Sequence, residues 1–324
     1  MIITRTPFRL SFVGGGSDLP SYYMNEMGSV ISIAINRFMY VSVNTSFSKS
    51  IRLAYNRVEQ CKKLLDVKHP LVRESANLIR FDDYVEITST ADIPSEGSGL
   101  GSSSSFTVGL LNALTNYQKK PRSKYELAEL ACKVEIEYCN QPIGKQDQFA
   151  ASFGGCNLFK FHSDGSVEPV KVDIPPFAET RFLNSLLVFY TGTPRNASSV
   201  LDSQDKATKL GLNTSVLKEM VGLVPEFREH FCKGNVEEYG QILHTNWMLK
   251  KTLSNNISNN VIDEIYQEGI RGGALGGKLL GAGNGGFIIF IAPPESHNSI
   301  KKRLSKLKQE TWSIDKLGTT VIYG

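Results

Sequence analysis

A glycine- and serine-rich stretch at residues 94–105, Pro-Ser-Glu-Gly-Ser-Gly-Leu-Gly-Ser-Ser-Ser-Ser, constrains this chain more than any other segment. Three glycines at alternate positions, Gly97, Gly99 and Gly101, allow positive φ and a close approach of the backbone to a ligand. A strand-like segment precedes the stretch, and from Phe106 onwards apolar residues follow at helical spacing. The pattern predicts a loop at a helix N-terminus, where free N–H groups and the helix dipole favour an anion.

Two alternative interpretations of this stretch are weaker. A flexible linker between domains normally has polar flanks, whereas both flanks here are apolar and periodic. A Walker P-loop ends in Gly-Lys-Ser/Thr, and this stretch lacks that ending. We therefore expect a phosphate-binding loop of another type.

Composition and charge describe an ordinary globular protein. With 324 residues, 41% hydrophobic and 21% charged, the chain can form two domains with cores of their own. The net charge of +4 is mild, and the basic run at 301–308 has the spacing of an amphipathic helix, so we expect no nucleic-acid partner. The five cysteines form no C-x-x-C pair, which argues against zinc and a secreted disulfide framework. We expect a cytoplasmic protein without a signal peptide or membrane span.

A second glycine block follows a short strand at the start of the chain. The strand Phe8–Val13 leads into Gly14-Gly-Gly-Ser-Asp18. Consecutive glycines can wrap a small ligand, and Asp18 can accept hydrogen bonds from sugar hydroxyls. A plain tight turn is the alternative.

Strands and helices then alternate in a β-rich first half. Three runs, at 30–35, 39–44 and 50–55, have the composition of strands, and a helix is expected at 67–79. A capping box from Ser123 to Glu126 begins a further helix.

Two glutamates on that further helix are candidates for a site. Glu135 and Glu137 lie on opposite borders of its apolar face, and periodicity does not choose between them. Both can equally be solvated flank residues, the usual fate of a helical glutamate. Past the helix, the polar loop at 142–149 enters a small apolar segment, as loops near a ligand do.

A domain boundary is expected where proline and charge content rise, between residues 160 and 185, which divides the chain into 1–180 and 181–324. The second part is largely helical until a third glycine block, from Gly272 to Phe287, which a strand follows. This block contains a partial Walker match that lacks the final Ser/Thr, and a dinucleotide fingerprint that lacks its helix. The histidines show no metal spacing.

The three glycine blocks, in this order and spacing, resemble those of the GHMP small-molecule kinases, which act on galactose, homoserine, mevalonate and related substrates. The motifs that carry the resemblance are Thr-Pro-Phe-Arg to Asp at 6–18, the loop at 95–104 and the Gly-Ala-Gly block at 281–286. Within that family, Ile-Gly-Lys-Gln-Asp-Gln-Phe at 143–149 and Tyr-Thr-Gly-Thr-Pro-Arg at 190–195 look most like the bacterial heptose 7-phosphate kinases.

The resemblance implies a fold, a reaction and ligands. It implies an α+β, two-domain GHMP kinase fold, with an N-terminal ribosomal-protein-like βαβ domain and a C-terminal ferredoxin-like α/β sandwich. ATP and Mg²⁺ would bind in the cleft between them. The reaction would transfer the γ-phosphoryl to the anomeric hydroxyl of D-glycero-D-manno-heptose 7-phosphate, giving the 1,7-bisphosphate used for activated heptose and surface polysaccharide. The sequence leaves the choice between monomer and homodimer open.

The resemblance also assigns roles to residues. Asp147 and Arg9 would be catalytic, and Ser103 with Glu135 would hold the metal, Glu137 being the reserve candidate. ATP would contact Pro94, Gly97, Ser98, Gly99, Leu100, Gly101, Ser102, Ser103 and Ser104. The substrate would contact Gly15, Gly16, Ser17, Asp18, Lys145, Arg195, Lys278, Gly281 and Gly283. Among these, Arg195 leads for a phosphate on the substrate, because a guanidinium can bind phosphate bidentately, and Lys145 and Lys278 follow.

Two other functions and one departure from the family pattern stay open. The chain can be a kinase of an unphosphorylated sugar such as galactose or fucose, or a binding regulator that kept the fold without the chemistry. The intact Asp147 and Arg9 speak against the regulator. Asn284 stands where the family has glycine, so its side chain is expected to affect the shape of the cleft.

Overall fold

The computed structural model describes residues 1–94, 97–192 and 197–324, with the backbone alone at 197–199. The strands in this part of the chain are β1 (Ile2–Val13), β2 (Gly28–Thr45), β3 (Ile51–Ala54), β4 (Val58–Cys61), β5 (Val85–Ala91), β6 (Cys156–Phe161), β7 (Val167–Lys171), β8 (Leu186–Tyr190), β9 (Gly276–Leu279), β10 (Phe287–Ile291), β11 (Lys308–Glu310) and β12 (Thr320–Tyr323).

The α-helices in the same part of the chain are α1 (Pro20–Tyr23), α2 (Pro70–Leu78), α3 (Ser102–Tyr117), α4 (Lys124–Cys132), α5 (Gln146–Phe153), α6 (Pro176–Ser185), α7 (Ala197–Lys209), α8 (Thr214–Lys233), α9 (Val236–Thr252), α10 (Asn260–Arg271) and α11 (His297–Arg303). A π-helix, Lys133–Tyr138, continues α4, and short 3₁₀ helices occur at Leu64–Asp66 and Pro294–Ser296. No helix of the described residues is apolar over a length that would cross a bilayer.

Two sheets organise the molecule. The first has the order β12-β1-β2-β5-β3-β4, and β6 joins it through β2 and carries β7. The second has the order β11-β8-β10-β9 and is antiparallel throughout. Together with the helices packed on them, they confirm the predicted α+β class.

The long strand β2 holds the first sheet together. The sequence predicts two strands here, at 30–35 and 39–44, but the chain forms one strand of 18 residues. Its first half pairs with β6 and its second half pairs with β5, while β1 runs along the opposite edge of both halves. The separation in the sequence pattern, around Asn36 and Arg37, therefore marks a change of partner and not a turn.

One hydrophobic core spans both sheets. Phe12 on β1 lies among Phe182 of α6 and Phe227 and Phe231 of α8, with ring centroids 5.5, 4.9 and 5.2 Å from its own. All four rings are fully buried. Burial of each aromatic side chain contributes about 1.5–3 kcal/mol, so this cluster of rings joins the two halves of the chain firmly.

Residue 180 lies within α6, the helix that connects β7 of the first sheet to β8 of the second, and we propose the division into 1–180 and 181–324 on this basis. The last strand is an exception, since Val321 and Thr320 of β12 pair with β1 of the first sheet. The basic run forms a helix only to Arg303, shorter than its apolar spacing predicts, because the chain turns there and enters β11.

Candidate active site

The central loop ends at the N-terminus of α3, as the sequence predicts. Gly97, Gly99 and Gly101 all adopt positive φ, of 68°, 82° and 74°. Gly101 is the N-cap of the helix and makes no side-chain cap, so the N–H groups of the first turn are left for a ligand. With the hydroxyl of Ser102 alongside, the loop offers a cluster of donors to an anion.

A bidentate ion pair lies against this loop. Nε and Nη2 of Arg9, on β1, donate to Oδ1 and Oδ2 of Asp147, in the first turn of α5, each at 2.6 Å. Nη1 of Arg9 donates to the carbonyl of Gly99 at 2.7 Å. Arg9 is buried, whereas 26% of the Asp147 side chain is exposed. The pair therefore fixes the loop and the carboxylate relative to each other and presents the carboxylate to the cleft.

Two features of position 101 require a glycine: its positive φ and its closeness to Asp147. A Cβ at this position would lie 3.1 Å from Oδ2 of Asp147 and 3.4 Å from Cγ of Arg9. A side chain here would press on the ion pair in addition to straining the backbone. The last glycine of the loop thus sets the distance between helix α3 and Asp147.

A buried glutamate lies beside the first turn of α3. Ser103 Oγ donates a short hydrogen bond to Oε1 of Glu135, and Nε2 of Gln148 donates to Oε2 at 2.7 Å. Glu135 is fully buried, and this burial raises its pKa to about 7 against the lowering effect of hydrogen bonds from Ser103, Ser104 and Gln148. Glu137, the reserve candidate, is exposed.

The π-helix explains why Glu135 reaches the site. Ideal α-helical spacing places both glutamates at the borders of the apolar face, but the six residues from Lys133 to Tyr138 adopt the wider π turn. That turn puts Glu135 wholly inside and Glu137 outside. A π-helix is uncommon and frequently marks a functional position.

The N-terminal glycine block forms a loop around Asp18. Oδ1 of Asp18 accepts from the amide of Gly16 at 3.0 Å, and Oδ2 accepts from the amide of Gln146 at 3.3 Å. Burial raises the pKa of Asp18, with a further contribution from the charge of Asp147. A Cβ on Gly144 would lie 2.1 Å from Oδ2 of Asp18, so a glycine is needed where these two loops meet.

The C-terminal glycine block packs against the central loop. The amide of Phe287 donates to the carbonyl of Ser98 at 3.1 Å, and a Cβ on Gly286 would lie 2.4 Å from the same oxygen. The two sheets thus meet at the glycine loops, and any side chain at Gly286 would separate them.

Two buried lysines enter the cleft from the second sheet and its helix. Nζ of Lys278, on β9, donates to the carbonyl of Phe12 at 2.7 Å, and Nζ of Lys250, on α9, donates to the carbonyl of Gly281. Their exposed fractions are 1% and 7%. Burial lowers the pKa of Lys278 well below its ordinary value, and the charges of Lys250 and Arg9 lower it further.

These groups line one cleft of about 390 Å³, the size of a small-molecule site. The predicted residues that line it are Arg9, Gly15, Gly16, Asp18, Gly97, Ser98, Gly99, Gly101, Ser102, Ser103, Ser104, Asp147, Lys278 and Gly281. Residues separated by more than two hundred positions in the sequence thus meet at one site.

Other predicted site residues do not line this cleft. Ser17 is fully buried, and its hydroxyl donates to the backbone of the turn at Gly14. Leu100 is buried in the core, Pro94 is exposed, and Gly283 packs on Ile257. Each of these four residues shapes the backbone of a loop and does not face the ligand space.

The structure also corrects the expectation for Lys145. Its ammonium donates to the carbonyl of Gly165 at 2.6 Å and lines a second, smaller pocket. Lys145 is not among the residues that line the cleft, and its ammonium group holds the turn at Gly165. Arg195 lies outside the described residues.

Asn284 has the conformation that a glycine would adopt at its position, with φ of 62°. Its amide donates to the carbonyl of Ile257 at 2.8 Å, and its Oδ1 accepts from Nδ2 of Asn259 at 2.7 Å. The side chain is thus bonded to the start of α10 and is not among the groups that line the cleft. The expected effect on the cleft's shape is therefore not seen.

Sequence reasoning missed Lys250 and Gln148. Lys250 follows Leu243 and Trp247 at helical spacing, on the buried face of α9, and a lysine on an apolar face was a usable signal. Gln148 stands in the polar loop at 142–149, but nothing local indicates that its amide reaches Glu135.

Comparison with known proteins gives the family. Models of the GHMP kinase N-terminal and C-terminal domains match residues 62–155 and 227–309. A D-glycero-alpha-D-manno-heptose 7-phosphate kinase of Campylobacter jejuni is 30% identical over 322 residues, which cover 94% of this chain and 93% of that protein. The chain belongs to the GHMP kinases. It is an ATP-dependent sugar kinase, as the sequence predicts.

Solved structures of other GHMP kinases share the fold. A D-glycero-D-manno-heptose 1-phosphate kinase from Bacteroides thetaiotaomicron superposes with a TM-score of 0.82 at 23% identity, over 100% of both chains. A Lactococcus lactis galactokinase bound to galactose gives 0.75 at 17% identity, over 99% of this chain and 94% of that one. At these identities the likeness concerns the fold, and it confirms the predicted two-domain GHMP architecture.

Proposed function

We propose that this GHMP kinase transfers the γ-phosphoryl of ATP to the anomeric hydroxyl of D-glycero-D-manno-heptose 7-phosphate, giving the 1,7-bisphosphate used for activated heptose and surface polysaccharide. The observation that carries the proposal is the Arg9–Asp147 pair, held by two 2.6 Å hydrogen bonds at the edge of the central loop. The heptose acceptor is taken from the Campylobacter jejuni relative, which matches nearly the full chain.

The central loop would hold the ATP phosphates. Its positive-φ glycines let the backbone come close, and the N–H groups at the start of α3 are directed at an anion. The hydroxyl of Ser102 adds a donor on the same side, while the hydroxyls of Ser103 and Ser104 are bonded to Glu135. No lysine of the Walker type is needed, because the helix N-terminus and Arg9 supply the positive potential.

Ser103 and Glu135 fit a magnesium ion. They bring a hydroxyl and a carboxylate oxygen into contact beside the phosphate loop. The described residues contain no cluster of three acidic, histidine or cysteine ligands. Two protein oxygens suit Mg²⁺, which usually keeps several waters and binds through substrate phosphates. When bound, the ion would neutralise charge on the β- and γ-phosphoryl oxygens.

Asp147 would orient and deprotonate the acceptor. Its carboxylate is the exposed end of the ion pair and faces the cleft. In the proposed step, the anomeric oxygen forms a bond to the γ-phosphorus, the bond from that phosphorus to the bridging oxygen breaks, and the hydroxyl proton passes to Asp147. Arg9 has five N–H donors, of which three are used in the bonds to Asp147 and Gly99, and the other two would stabilise the transferring phosphoryl group.

Asp18 and the glycine loop would hold the sugar. Gly15, Gly16 and Asp18 line the same cleft as the central loop, and Gly281 lines it from the second half of the chain. A carboxylate fixed by backbone amides can accept from neighbouring sugar hydroxyls without losing its position.

The test is an ADP-release assay over matched pairs of sugars and sugar phosphates, with phosphorus NMR of the product made from the best acceptor. The proposal expects heptose 7-phosphate to give the highest kcat/KM and the new phosphorus to be coupled to the anomeric proton. Preference for galactose or fucose would replace the substrate assignment. Binding of ATP and sugar without turnover would instead favour the regulator.

A further inference from the structure

Gln146 is a polar side chain of the cleft that has no role in the proposed transfer step. It is the first residue of α5, it lines the cleft, and only 5% of it is exposed. Its Oε1 accepts from Oγ of Ser11 at 2.9 Å, and its Nε2 donates to Oδ1 of Asp147 at 3.1 Å. Each end of this buried amide therefore has a partner, and one partner is the proposed base.

The strand β1 explains why Ser11 can hold the amide. Arg9 and Ser11 are two residues apart, so their side chains leave the same face of the strand. No register shift interrupts the pairing of β1 with β2 between these two positions. From this face Arg9 reaches Asp147 and Ser11 reaches Gln146, so neighbouring bonds attach the first turn of α5 to β1.

The chemistry of the two partners determines which way the amide faces. An ionised carboxylate can only accept hydrogen bonds, so the end of Gln146 that meets Asp147 must be the NH₂ group. The carbonyl end then meets Ser11, whose hydroxyl can donate. The opposite orientation would place two acceptor oxygens against each other.

The two oxygens of Asp147 are left with different numbers of partners. Oδ1 accepts from Nε of Arg9 and from Nε2 of Gln146, which fills both of its lone-pair directions. Within the part of the chain that the structure describes, Oδ2 accepts only from Nη2 of Arg9. It is also the oxygen beside Gly101 at the start of α3, where a Cβ would lie 3.1 Å from it. Oδ2 is therefore the oxygen that can still accept from a hydroxyl next to the phosphate loop.

We infer that Gln146 is a positioning residue, which bonds Oδ1 of Asp147 and so leaves Oδ2 as the oxygen that takes the proton of the acceptor hydroxyl. This rests on the proposed function, which it deepens by assigning the reacting atom and the residue that selects it. In the step, the hydroxyl proton passes to Oδ2 while the hydroxyl oxygen bonds to the γ-phosphorus and the bond from that phosphorus to the bridging oxygen of ATP breaks. Arg9 alone does not select the atom, because it bonds to both oxygens.

The experiment removes the bond to Asp147 in two ways. Gln146→Met keeps the length of the side chain without its amide, and Gln146→Glu keeps the shape and the acceptor for Ser11 but replaces the donor to Oδ1 by an acceptor. The matched control is Gln267→Glu, the same change on an exposed side chain of α10.

Each change is made in the wild type and in the Asp147→Asn variant, and thermal unfolding checks that the fold is kept. Rates of ADP release give kcat and the KM values for ATP and for D-glycero-D-manno-heptose 7-phosphate. Galactose or fucose takes the place of the heptose if either is the better acceptor.

We expect a loss of turnover without a loss of binding. Gln146→Met should lower kcat about 10- to 100-fold, the value of a hydrogen bond to a charged group, and Gln146→Glu should lower it at least as much. Both KM values should change less than about threefold, because the bond acts on the base and not on the ligands. In the Asp147→Asn background, which has no base to position, Gln146→Met should lower kcat less than about twofold further. The Gln267→Glu control should resemble the wild type.

The outcomes separate this inference from the proposed function. If Gln146→Met lowers kcat equally in both backgrounds, Gln146 does not act through Asp147 and the inference is wrong. If it raises KM for the acceptor and leaves kcat unchanged, Gln146 binds the sugar directly and the inference is again wrong, while the proposed transfer stands. If Asp147→Asn keeps most of its activity, the proposed base and the inference fail together. A free sugar as the best acceptor refutes the heptose assignment alone. If Gln146→Met does not fold, Gln146→Glu carries the same comparison.

Discussion

Replacement of Glu135 by glutamine should stabilise the protein in a way that depends on pH. Glu135 is fully buried, and its pKa is raised from 4.5 to about 7. Between these two values the folded chain holds a proton that the unfolded chain releases. Stability must therefore fall as pH rises through this range, because the folded state binds more protons than the unfolded state. Glutamine has the same shape and no charge to bury.

The magnitude follows from the size of the shift. A difference of two to three pKa units corresponds to about 3 kcal/mol of unfolding free energy, since each unit is worth about 1.4 kcal/mol. Integration over pH places roughly 2.5 kcal/mol of this loss between pH 5 and pH 8. For a chain of this length, that corresponds to about 4 °C in the unfolding midpoint. The unfolding midpoint of Glu135→Gln, taken relative to that of the wild type, should therefore be about 4 °C higher at pH 8 than at pH 5.

The assay is thermal unfolding of both proteins at pH 5, 6, 7 and 8, without nucleotide or metal. Glu137→Gln is the matched control, because it makes the same change two residues away on an exposed side chain. Its difference from the wild type should not vary with pH. Added Mg²⁺ should raise the wild-type midpoint more at pH 8 than at pH 6, and should have no such effect on Glu135→Gln.

Two results would refute this reasoning. A midpoint difference between Glu135→Gln and the wild type that does not change with pH would show that Glu135 titrates near its ordinary pKa in the folded chain. A Mg²⁺ response that survives in Glu135→Gln and disappears in Glu137→Gln would show that the exposed carboxylate binds the metal.

Three further variants, with Gly155→Ala as a control, test the geometry of the cleft. Asp147→Asn should lower kcat by about 10²–10⁴-fold, the usual value of general-base assistance, and leave ATP affinity within about twofold; retention of most activity in the coupled assay would exclude Asp147 as the base. Gly101→Ala should lose roughly 1–2 kcal/mol from its positive φ, and kcat as well, because its Cβ would lie 3.1 Å from Asp147. Gly155 has a similar φ of 69°, and a Cβ there would meet open space, so Gly155→Ala should lose stability and keep the wild-type kcat. If Gly101→Ala and Gly155→Ala have equal kcat values, the contact between residue 101 and Asp147 does not affect turnover. Asn284→Gly should keep kcat and change stability by less than about 1 kcal/mol, since relief at φ of 62° offsets the lost 2.7 Å bond to Asn259.

Features that depend on local chemistry could be predicted from the sequence. Ser123 and Glu126 form the expected capping box, and Gly101 begins the expected helix. Both depend on residues within one turn of each other, where spacing and residue type determine the structure. The order of the glycine blocks was likewise enough to identify the family.

Features that depend on distant partners could not be predicted. The gap between residues 35 and 39 has the composition of a turn, yet β2 continues through it because β1 pairs along both of its halves. The wider turn that buries Glu135 has no local signature that distinguishes it from an α-helix. Helical spacing places Lys250 on a buried face, but only the packing of α9 on β9 shows that this face opens into a cleft.

The charged groups that line the cleft belong to both sheets, and their separation limits the acceptors that the cleft can hold. Arg9 and Asp147 belong to the first sheet and its helix α5, whereas Lys278 belongs to the second sheet. Phe12, whose carbonyl Lys278 contacts, is itself packed among rings of α6 and α8. A well-packed aromatic core resists relative movement of the elements that it joins. The distance between Asp147 and Lys278 is therefore set by the core, and we expect the cleft to accept only those ligands that fit this separation.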